Sequence, residues 1–197
     1  MYKLLLDSSN KLLVIALATD DRVIDKIVYD AWQRQSELLV PEIDNILEKN
    51  NVKKEEIDTI VVGIGPSSYT GVRIALTVAK TMAYVLKTKI YAVSSMALFQ
   101  IPNAPTICIT NARSGRSYFA VYQDGEPIVA DTILENEQVL AYIDEHPDYL
   151  ISGETLHLGL QGEEFDPAEN LFSMMDEKHL VEDVFKLNPI YLNDLYK

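Results

Sequence analysis

Residues 60–95 read IVVGIGPSSYTGVRIALTVAKTMAYVLKTKIYAVSS, and this stretch decides the fold. A β-branched run, Ile60–Val62, is followed by a turn rich in Gly, Pro and Ser. A long segment with apolar residues at helical spacing comes next, and a second β-prone run, Ile90–Val93, ends the stretch. The pattern predicts a strand, a tight turn, a helix over Thr70–Leu86 and a second strand.

The turn before this helix is the first candidate site. Backbone N–H groups at the start of a helix can bind an anion, and Arg73 falls on the first helical turn. However, Pro66 removes one N–H group, and no phosphate-loop lysine follows. We therefore favour a structural turn that caps the helix over an anion site. The residues that either interpretation uses are Gly65, Ser67, Ser68, Thr70, Gly71 and Arg73.

The predicted helix carries more apolar surface than packing on one sheet requires. One stripe at i, i+3, i+4 spacing suffices for that packing, and Ile74, Val78 and Val85 form a second stripe beside it. The second stripe needs another helix, either the one predicted over Gln33–Asn50 or a helix of a partner, and the pattern leaves both open. The candidate contact residues are Leu39, Ile43, Ile46, Ile74, Val78 and Val85.

The whole chain reads as two related halves. The first half follows the order β-β-β-α-β-α, and Pro102 and Pro105 mark a hinge after it. The second half opens with another set of β-prone runs and is less complete. This organisation predicts a duplicated α/β fold of the actin-like or ribonuclease-H-like kind, with subdomains at 1–101 and 102–197. The segment 187–192 is expected to be an extended arm that packs through Ile190 and Leu192.

Charge and composition indicate which classes of function are unfavourable for this chain. The net charge is −13, and the segment from Asp131 to Asp183 holds fifteen acidic residues against one cation, Lys178. Such a chain is expected to be a poor binder of nucleic acid on its own, since phosphate contacts need clustered Lys and Arg. No apolar run reaches the length of a bilayer span, so we expect a cytoplasmic protein that does not associate with a membrane. The single cysteine, Cys108, is predicted to be buried.

Catalytic and metal sites have little support in the sequence. Asp7 ends the first strand, where a carboxylate could hold a metal or cap the turn, and the turn lacks glycine. The three histidines, among them His157, are far apart and are expected to be surface or loop residues. We expect no catalytic residue, metal ligand or cofactor on this chain. An alternative is an ATP-dependent transferase or kinase whose nucleotide cleft is lined by Asp7, Asn111 and Gly153.

Several segments in chain order resemble one family. Residues 65–75, GPSSYTGVRIA, resemble the G-P-G-S-F-T-G-L-R-I-G signature of the bacterial TsaB (YeaZ) proteins. Weaker similarities cover the rest of the chain, although Ser67, Tyr69, Gln35 and Asn111 depart from the family's residues. The other similar segments are 6–9, 35–41, 93–95, 112–118 and 189–192.

The resemblance implies an actin-like fold and a non-catalytic role. TsaB-like proteins are paralogues of the catalytic subunit TsaD and serve as its partner. With the ATPase TsaE, the complex places threonylcarbamoyl on the adenosine next to the tRNA anticodon. It further implies that ATP and metal belong to the partner subunits and that tRNA is bound only through the complex. The first two helices would pair with a TsaD-like subunit or, when the chain is alone, with a second copy.

Overall fold

The structure is a computed structural model and describes residues 1–192. Within them, no helix is both long and apolar enough to cross a membrane. The elements in chain order are β1 (Tyr2–Asp7), β2 (Leu12–Ala18), β3 (Val23–Asp30), α1 (Gln35–Lys49), β4 (Ile57–Gly63), α2 (Tyr69–Leu86), β5 (Lys89–Val93), β6 (Thr106–Arg113), β7 (Arg116–Gln123), β8 (Glu126–Glu135), α3 (Asn136–Glu145), β9 (Leu150–Gly153) and α4 (Pro167–Ser173).

The first lobe is built on a five-stranded sheet of order β3-β2-β1-β4-β5. Short turns make β1, β2 and β3 an antiparallel meander, whereas β4 and β5 run parallel to β1. A parallel neighbour needs a crossover connection, and α1 and α2 supply the two crossovers. Helix α1 begins at Gln35 rather than at the predicted Gln33, whose φ of 63° lies outside the helical region.

The second lobe repeats this arrangement. Its sheet has the order β8-β7-β6-β9, in which β6, β7 and β8 form a meander and β9 runs parallel to β6. Helix α3 is the crossover from β8 to β9, as α1 is the crossover from β3 to β4. The predicted duplication of an α/β unit is therefore confirmed. The second sheet, as described, has four strands and lacks a counterpart of β5.

Two apolar layers lie on opposite faces of the first sheet. Leu4 and Leu6 of β1 face the layer under α1 and α2, and Leu5 faces the layer between the two lobes. This alternation follows from the two-residue period of a strand. Cys108 lies fully buried in the layer between the lobes, where burial raises the pKa of its thiol. The prediction of a buried cysteine is thus confirmed.

The C-terminal part of the chain returns to the first lobe. Helix α4, which the sequence pattern did not reveal, is capped by Asp166, and the carboxylate of Asp166 also pairs with Lys26 of β3. The arm after α4 runs beside α2, where Ile190 N–H donates to Ile64 O at 2.7 Å. Leu192 packs in the layer between the lobes, as predicted. The division at 101/102 stays a prediction, and its last residues, 193–197, lie outside the described residues.

One carboxylate ties the two lobes together. Asp131 of β8 accepts hydrogen bonds from Ser94 Oγ at 2.6 Å and from Tyr122 Oη–H at 2.9 Å. Ser94 directly follows β5 of the first lobe, so the Ser94 bond crosses from one lobe to the other. Burial raises the pKa of Asp131, and the two donors partly offset that rise.

Replacing Tyr122 by phenylalanine should destabilise the protein by about 1–2 kcal/mol, because it removes a donor to a largely buried carboxylate. The free energy of unfolding, measured by chemical denaturation, tests this. Tyr91→Phe is the matched control, since the described residues show no hydrogen bond from its hydroxyl. Equal stability of the two variants would contradict the role given to the Tyr122 hydroxyl.

Candidate functional site

The turn after β1 is closed around the carboxylate of Asp7. Oδ1 accepts from Ser9 N–H at 2.9 Å and from Ser9 Oγ–H at 2.8 Å, and Oδ2 accepts from Ser95 Oγ–H at 2.7 Å. The side chain is fully buried, and burial raises its pKa. Gly63 leaves room for it, because a Cβ at Gly63 would come within 1.9 Å of Oδ2. Asp7 therefore caps the turn with both oxygens and does not face open space.

The start of α2 is packed against that turn. Ser68 is the N-cap, since its Oγ accepts from Gly71 N–H at 3.3 Å, and its own N–H donates to Ser9 O at 3.0 Å. Gly71 touches the hairpin so closely that a Cβ there would lie 2.4 Å from Ser8 O. The described contacts of this turn are thus a helix cap and a helix–hairpin junction. Whether Gly65, Ser67 or Thr70 contacts an anion stays a prediction.

Arg73 is held between two tyrosines. Its Nε donates to Tyr191 Oη at 2.7 Å, and its guanidinium carbon lies 3.9 Å from the centre of the Tyr69 ring. The rings of Tyr69 and Tyr191 stack with their centres 5.0 Å apart. Arg73 thereby anchors the C-terminal arm to α2, a contact that the sequence pattern does not show because residues 73 and 191 are far apart in the chain.

A cavity of about 470 Å³ opens between the lobes beside this turn. It collects residues from the β1–β2 turn, the chain before α1, the start of α2, the β6–β7 hairpin and the end of β9. The lining residues are Asn10, Lys11, Trp32, Ser67, Ser68, Tyr69, Thr70, Asn111, Ala112, Arg113, Ser114, Arg116, Tyr118 and Glu154.

The three residues predicted to line a nucleotide cleft are not brought together there. Asn111 lines the cavity, whereas Asp7 lies beneath the turn and is inaccessible. Gly153 does not line the cavity either, although its neighbour Glu154 does. Gly153 has a φ of 105°, and a Cβ there would lie 2.2 Å from Ile109 O, so its role is close packing against β6. Of the three predicted residues, Asn111 alone lines the cavity, and its contact with a nucleotide stays a prediction.

Sequence comparisons match the chain to one family model and to several proteins of similar sequence. A family model described as TsaD, tRNA N6-adenosine threonylcarbamoyltransferase, matches residues 29–149. The chain is 30% identical over 201 residues to uncharacterized protein MG208 of Mycoplasma genitalium, which covers 98% of this chain and 95% of that protein. It is 32% identical over 145 residues to the tRNA threonylcarbamoyladenosine biosynthesis protein TsaB of Bacillus subtilis, covering 72% of this chain and 63% of that protein.

The structural comparison agrees with the sequence matches. YeaZ from Pseudomonas aeruginosa superposes with a TM-score of 0.80 at 25% identity, over 97% of this chain and 99% of that chain. The chain belongs to the TsaB (YeaZ) family. The resemblance carried by residues 65–75 is thereby confirmed, and the duplicated α/β fold is actin-like. Membership assigns this TsaB-family chain a role in tRNA threonylcarbamoyladenosine biosynthesis.

Three of the predicted contact residues belong to the monomer's own core. Leu39, Ile43 and Ile46 of the TsaB-family chain are at most 3% exposed, because this face of α1 packs on the first sheet. They are therefore corrected from contact residues to core residues. Val40 is the most exposed of the leucine, isoleucine and valine side chains of α1, at 49%. Helical geometry puts Val40 opposite Lys49, which pairs with Asp25 of β3, so Val40 lies on the flank of α1 away from β3.

The second apolar stripe of α2 is only partly covered. Ile74 and Val78 are half-buried against the first core layer, whereas Val85 is 66% exposed. They lie on a face of α2 that carries no charge and that we call the outer face. Its residues are Thr70, Ile74, Thr77, Val78, Thr81, Tyr84 and Val85.

The structure also joins a serine and a histidine that the sequence pattern did not connect. Ser117 Oγ lies 2.8 Å from His157 Nε2 and donates to Asn136 Oδ1 at 2.9 Å. Ser117 is fully buried, and His157 Nδ1 is buried without a hydrogen-bond partner among residues 1–192. The neutral imidazole of His157 donates to Ser117 Oγ in one tautomer and accepts from it in the other. His157 lies half-buried in the short helical turn Leu156–Leu158 between β9 and α4, which is a loop position as predicted.

Proposed function

We propose that this chain is a non-catalytic partner subunit that binds and activates a TsaD-like catalytic subunit for threonylcarbamoylation of tRNA. The observation that carries the proposal is the uncharged outer face of α2. In a chain with 24% charged residues, α2 has two charged side chains, Arg73 and Lys80. Both lie on one flank and bind the arm, Arg73 through Tyr191 and Lys80 Nζ through Leu187 O at 2.7 Å.

The surroundings of the outer face add apolar surface and one cation, Lys87, whose Nζ lies 4.4 Å from the centre of the Tyr84 ring. Tyr84 and Val85 are 54% and 66% exposed, and Phe185, two residues before the arm and 73% exposed, packs edge-on against Tyr84. Loss of charge with gain of aromatic and aliphatic side chains is typical of the buried centre of a protein interface. The occupant that family membership favours is the paralogous TsaD-like subunit, with a TsaE-like ATPase in the complex and a second copy of this chain when it is alone.

The contacts of Asp7 support a non-catalytic role over the alternative of an ATP-dependent transferase or kinase. A carboxylate that accepts three hydrogen bonds from serines within its own lobe has its oxygens already engaged. A metal ligand would have to give up those bonds. These contacts support the proposal that ATP and metal bind to the partner subunits. Saturable micromolar binding of Mg-ATP to the isolated chain in calorimetry would contradict it.

The partner interface is tested by Val85→Glu. The charge would be buried without a partner at the centre of the interface, so the dissociation constant for the TsaD-like subunit should rise at least about tenfold. Val85 is a sharper target than Val78, because Val78 packs partly in the monomer core and a charge there would also destabilise the monomer. Dissociation constants from biolayer interferometry provide the measurement.

Leu156→Glu is the matched control, since Leu156 is 86% exposed and lies in the second lobe. It should bind like the unmodified chain, and both variants should keep the thermal stability of the unmodified chain. Val85→Glu binding as tightly as Leu156→Glu would contradict the proposed interface.

A further inference from the structure

The cavity between the lobes has the opposite charge to the rest of the protein. Lys11, Arg113 and Arg116 line it, and Glu154 is its one acidic residue. The chain as a whole has a net charge of −13. A cleft lined by one sign of charge concentrates ligands of the opposite sign. The lining therefore favours an anion at a place that the uneven charge along the sequence did not reveal.

The three cations have no opposite charge bound to them. Within residues 1–192, none of Lys11, Arg113 and Arg116 forms a salt bridge, although seven other basic groups do. Glu154 offsets only one of the three positive charges, and its Oε2 accepts from Asn111 N–H at 3.2 Å at the edge of β6. Cations that line one cavity repel each other, and an anionic ligand would relieve that repulsion.

Aromatic side chains lie beside the cations. Trp32 lines the cavity with 42% of its surface exposed, and Tyr69 and Tyr118 line it as well. An exposed aromatic ring next to unpaired cations is the combination by which proteins bind single-stranded nucleic acid, with the bases stacked on rings and the phosphates on Lys or Arg.

We propose that this cleft binds a single-stranded segment of RNA, with phosphates at Lys11, Arg113 and Arg116 and a base against Trp32. The choice of RNA over a free nucleotide rests on the proposed function, whose substrate is a tRNA. The contacts at the α2 N-terminus agree with it, since Ser68 and Gly71 N–H groups are used within the protein and do not converge on the cavity. The cleft adds a contact to the complex and does not replace the partner as the main RNA binder.

Trp32 makes the proposal directly measurable because it is the single tryptophan of the chain. The full chain is titrated with a single-stranded RNA of about 12 nucleotides, a length within the usual range of single-strand sites. Saturable quenching of Trp32 emission is expected. Neutralising three phosphates should give a slope near ~−2 for log affinity against log salt, at about −0.7 per contact for single strands.

Two variants distinguish the contribution of the arginine charges to RNA binding from that of stacking on the Trp32 ring. Arg113→Gln with Arg116→Gln should weaken binding at least about tenfold at low salt and reduce the salt slope by ~1.4. Trp32→Phe, followed by anisotropy of labelled RNA, should weaken binding about fivefold and leave the slope unchanged, since it alters only stacking. The control is Lys54→Gln with Lys89→Gln, which should change affinity less than twofold. Both lysines are exposed and do not line the cavity, since Lys54 precedes β4 and Lys89 is the first residue of β5.

Three results would overturn the proposal. They are no quenching by RNA, equal losses in the arginine and lysine double variants, and stronger quenching by Mg-ATP than by RNA at equal nucleotide concentration, which would identify a free-nucleotide site. Val85→Glu should bind the RNA like the unmodified chain. Loss of partner binding in Val85→Glu and loss of RNA binding in the arginine variant are thus independent outcomes, and either proposal can fail alone.

Discussion

Replacing Gly71 by alanine should lower the free energy of unfolding by about 3 kcal/mol, even though alanine is the better helix former by ~1 kcal/mol. The added Cβ would lie 2.4 Å from Ser8 O and 3.3 Å from Ser9 O. The hairpin cannot simply move away, because three hydrogen bonds hold it to α2. They are Ser8 Oγ–H to Gly71 O at 2.7 Å, Ala75 N–H to Ser8 Oγ at 3.0 Å and Ser68 N–H to Ser9 O at 3.0 Å.

Relief of the clash therefore requires the loss of most of these bonds, at about 1 kcal/mol each. In thermal denaturation the melting temperature should fall by roughly 6–12 °C, given ~2–4 °C per kcal/mol for a chain of this size. Thr77→Ala in the exposed part of α2 is the control, and it should be neutral or slightly stabilising. If the melting temperature of Gly71→Ala equals that of Thr77→Ala, the hairpin–helix junction is not close-packed as described.

The elements of the two sheets could be predicted because their signals are local. Each signal in residues 60–86 depends only on residues that are neighbours in the chain. The signals are the β-branched run Ile60–Val62, the turn rich in Gly, Pro and Ser, and the helical spacing of apolar residues after it. Helix α4 was missed for the same reason, since Pro167–Ser173 is too short to show a helical period. The meander of each lobe follows from turns of few residues, whereas the return of α4 and the arm to the first lobe depends on contacts that a linear pattern does not contain.

The candidate sites were predicted less well, because they depend on which surfaces meet. Helical spacing shows that Leu39, Ile43 and Ile46 share a face, but it does not show whether the sheet or a partner covers that face. The cationic cavity unites Lys11 of one lobe with Arg113 and Arg116 of the other, and no spacing in the sequence relates them.

Replacing Asp7 by alanine should destabilise the protein by about 3–5 kcal/mol, since the amide and hydroxyl of Ser9 and the hydroxyl of Ser95 would all lose a buried acceptor. Ser95 Oγ also accepts from Gly65 N–H at 2.9 Å, so the loss extends to the turn before α2. Chemical denaturation measures the effect. Asp21→Ala, at an exposed turn between β2 and β3, is the control and should cost less than ~0.5 kcal/mol.

The comparison with Asp7→Asn isolates the charge of Asp7. Burial raises the pKa of Asp7 in the folded protein above the ordinary 3.8, so the folded state holds this proton more tightly than the unfolded state. The unmodified protein should therefore gain stability relative to Asp7→Asn as the pH falls from neutral through the folded-state pKa, and the gain should be complete below 3.8. Because both proteins share every other acidic group, the difference between their unfolding free energies reports Asp7 alone. A difference that stays constant with pH would mean that the hydrogen bonds from Ser9 and Ser95 balance burial and leave the pKa of Asp7 unshifted. A difference that moves against the unmodified protein on acidification would mean that these bonds outweigh burial and hold the carboxylate charged.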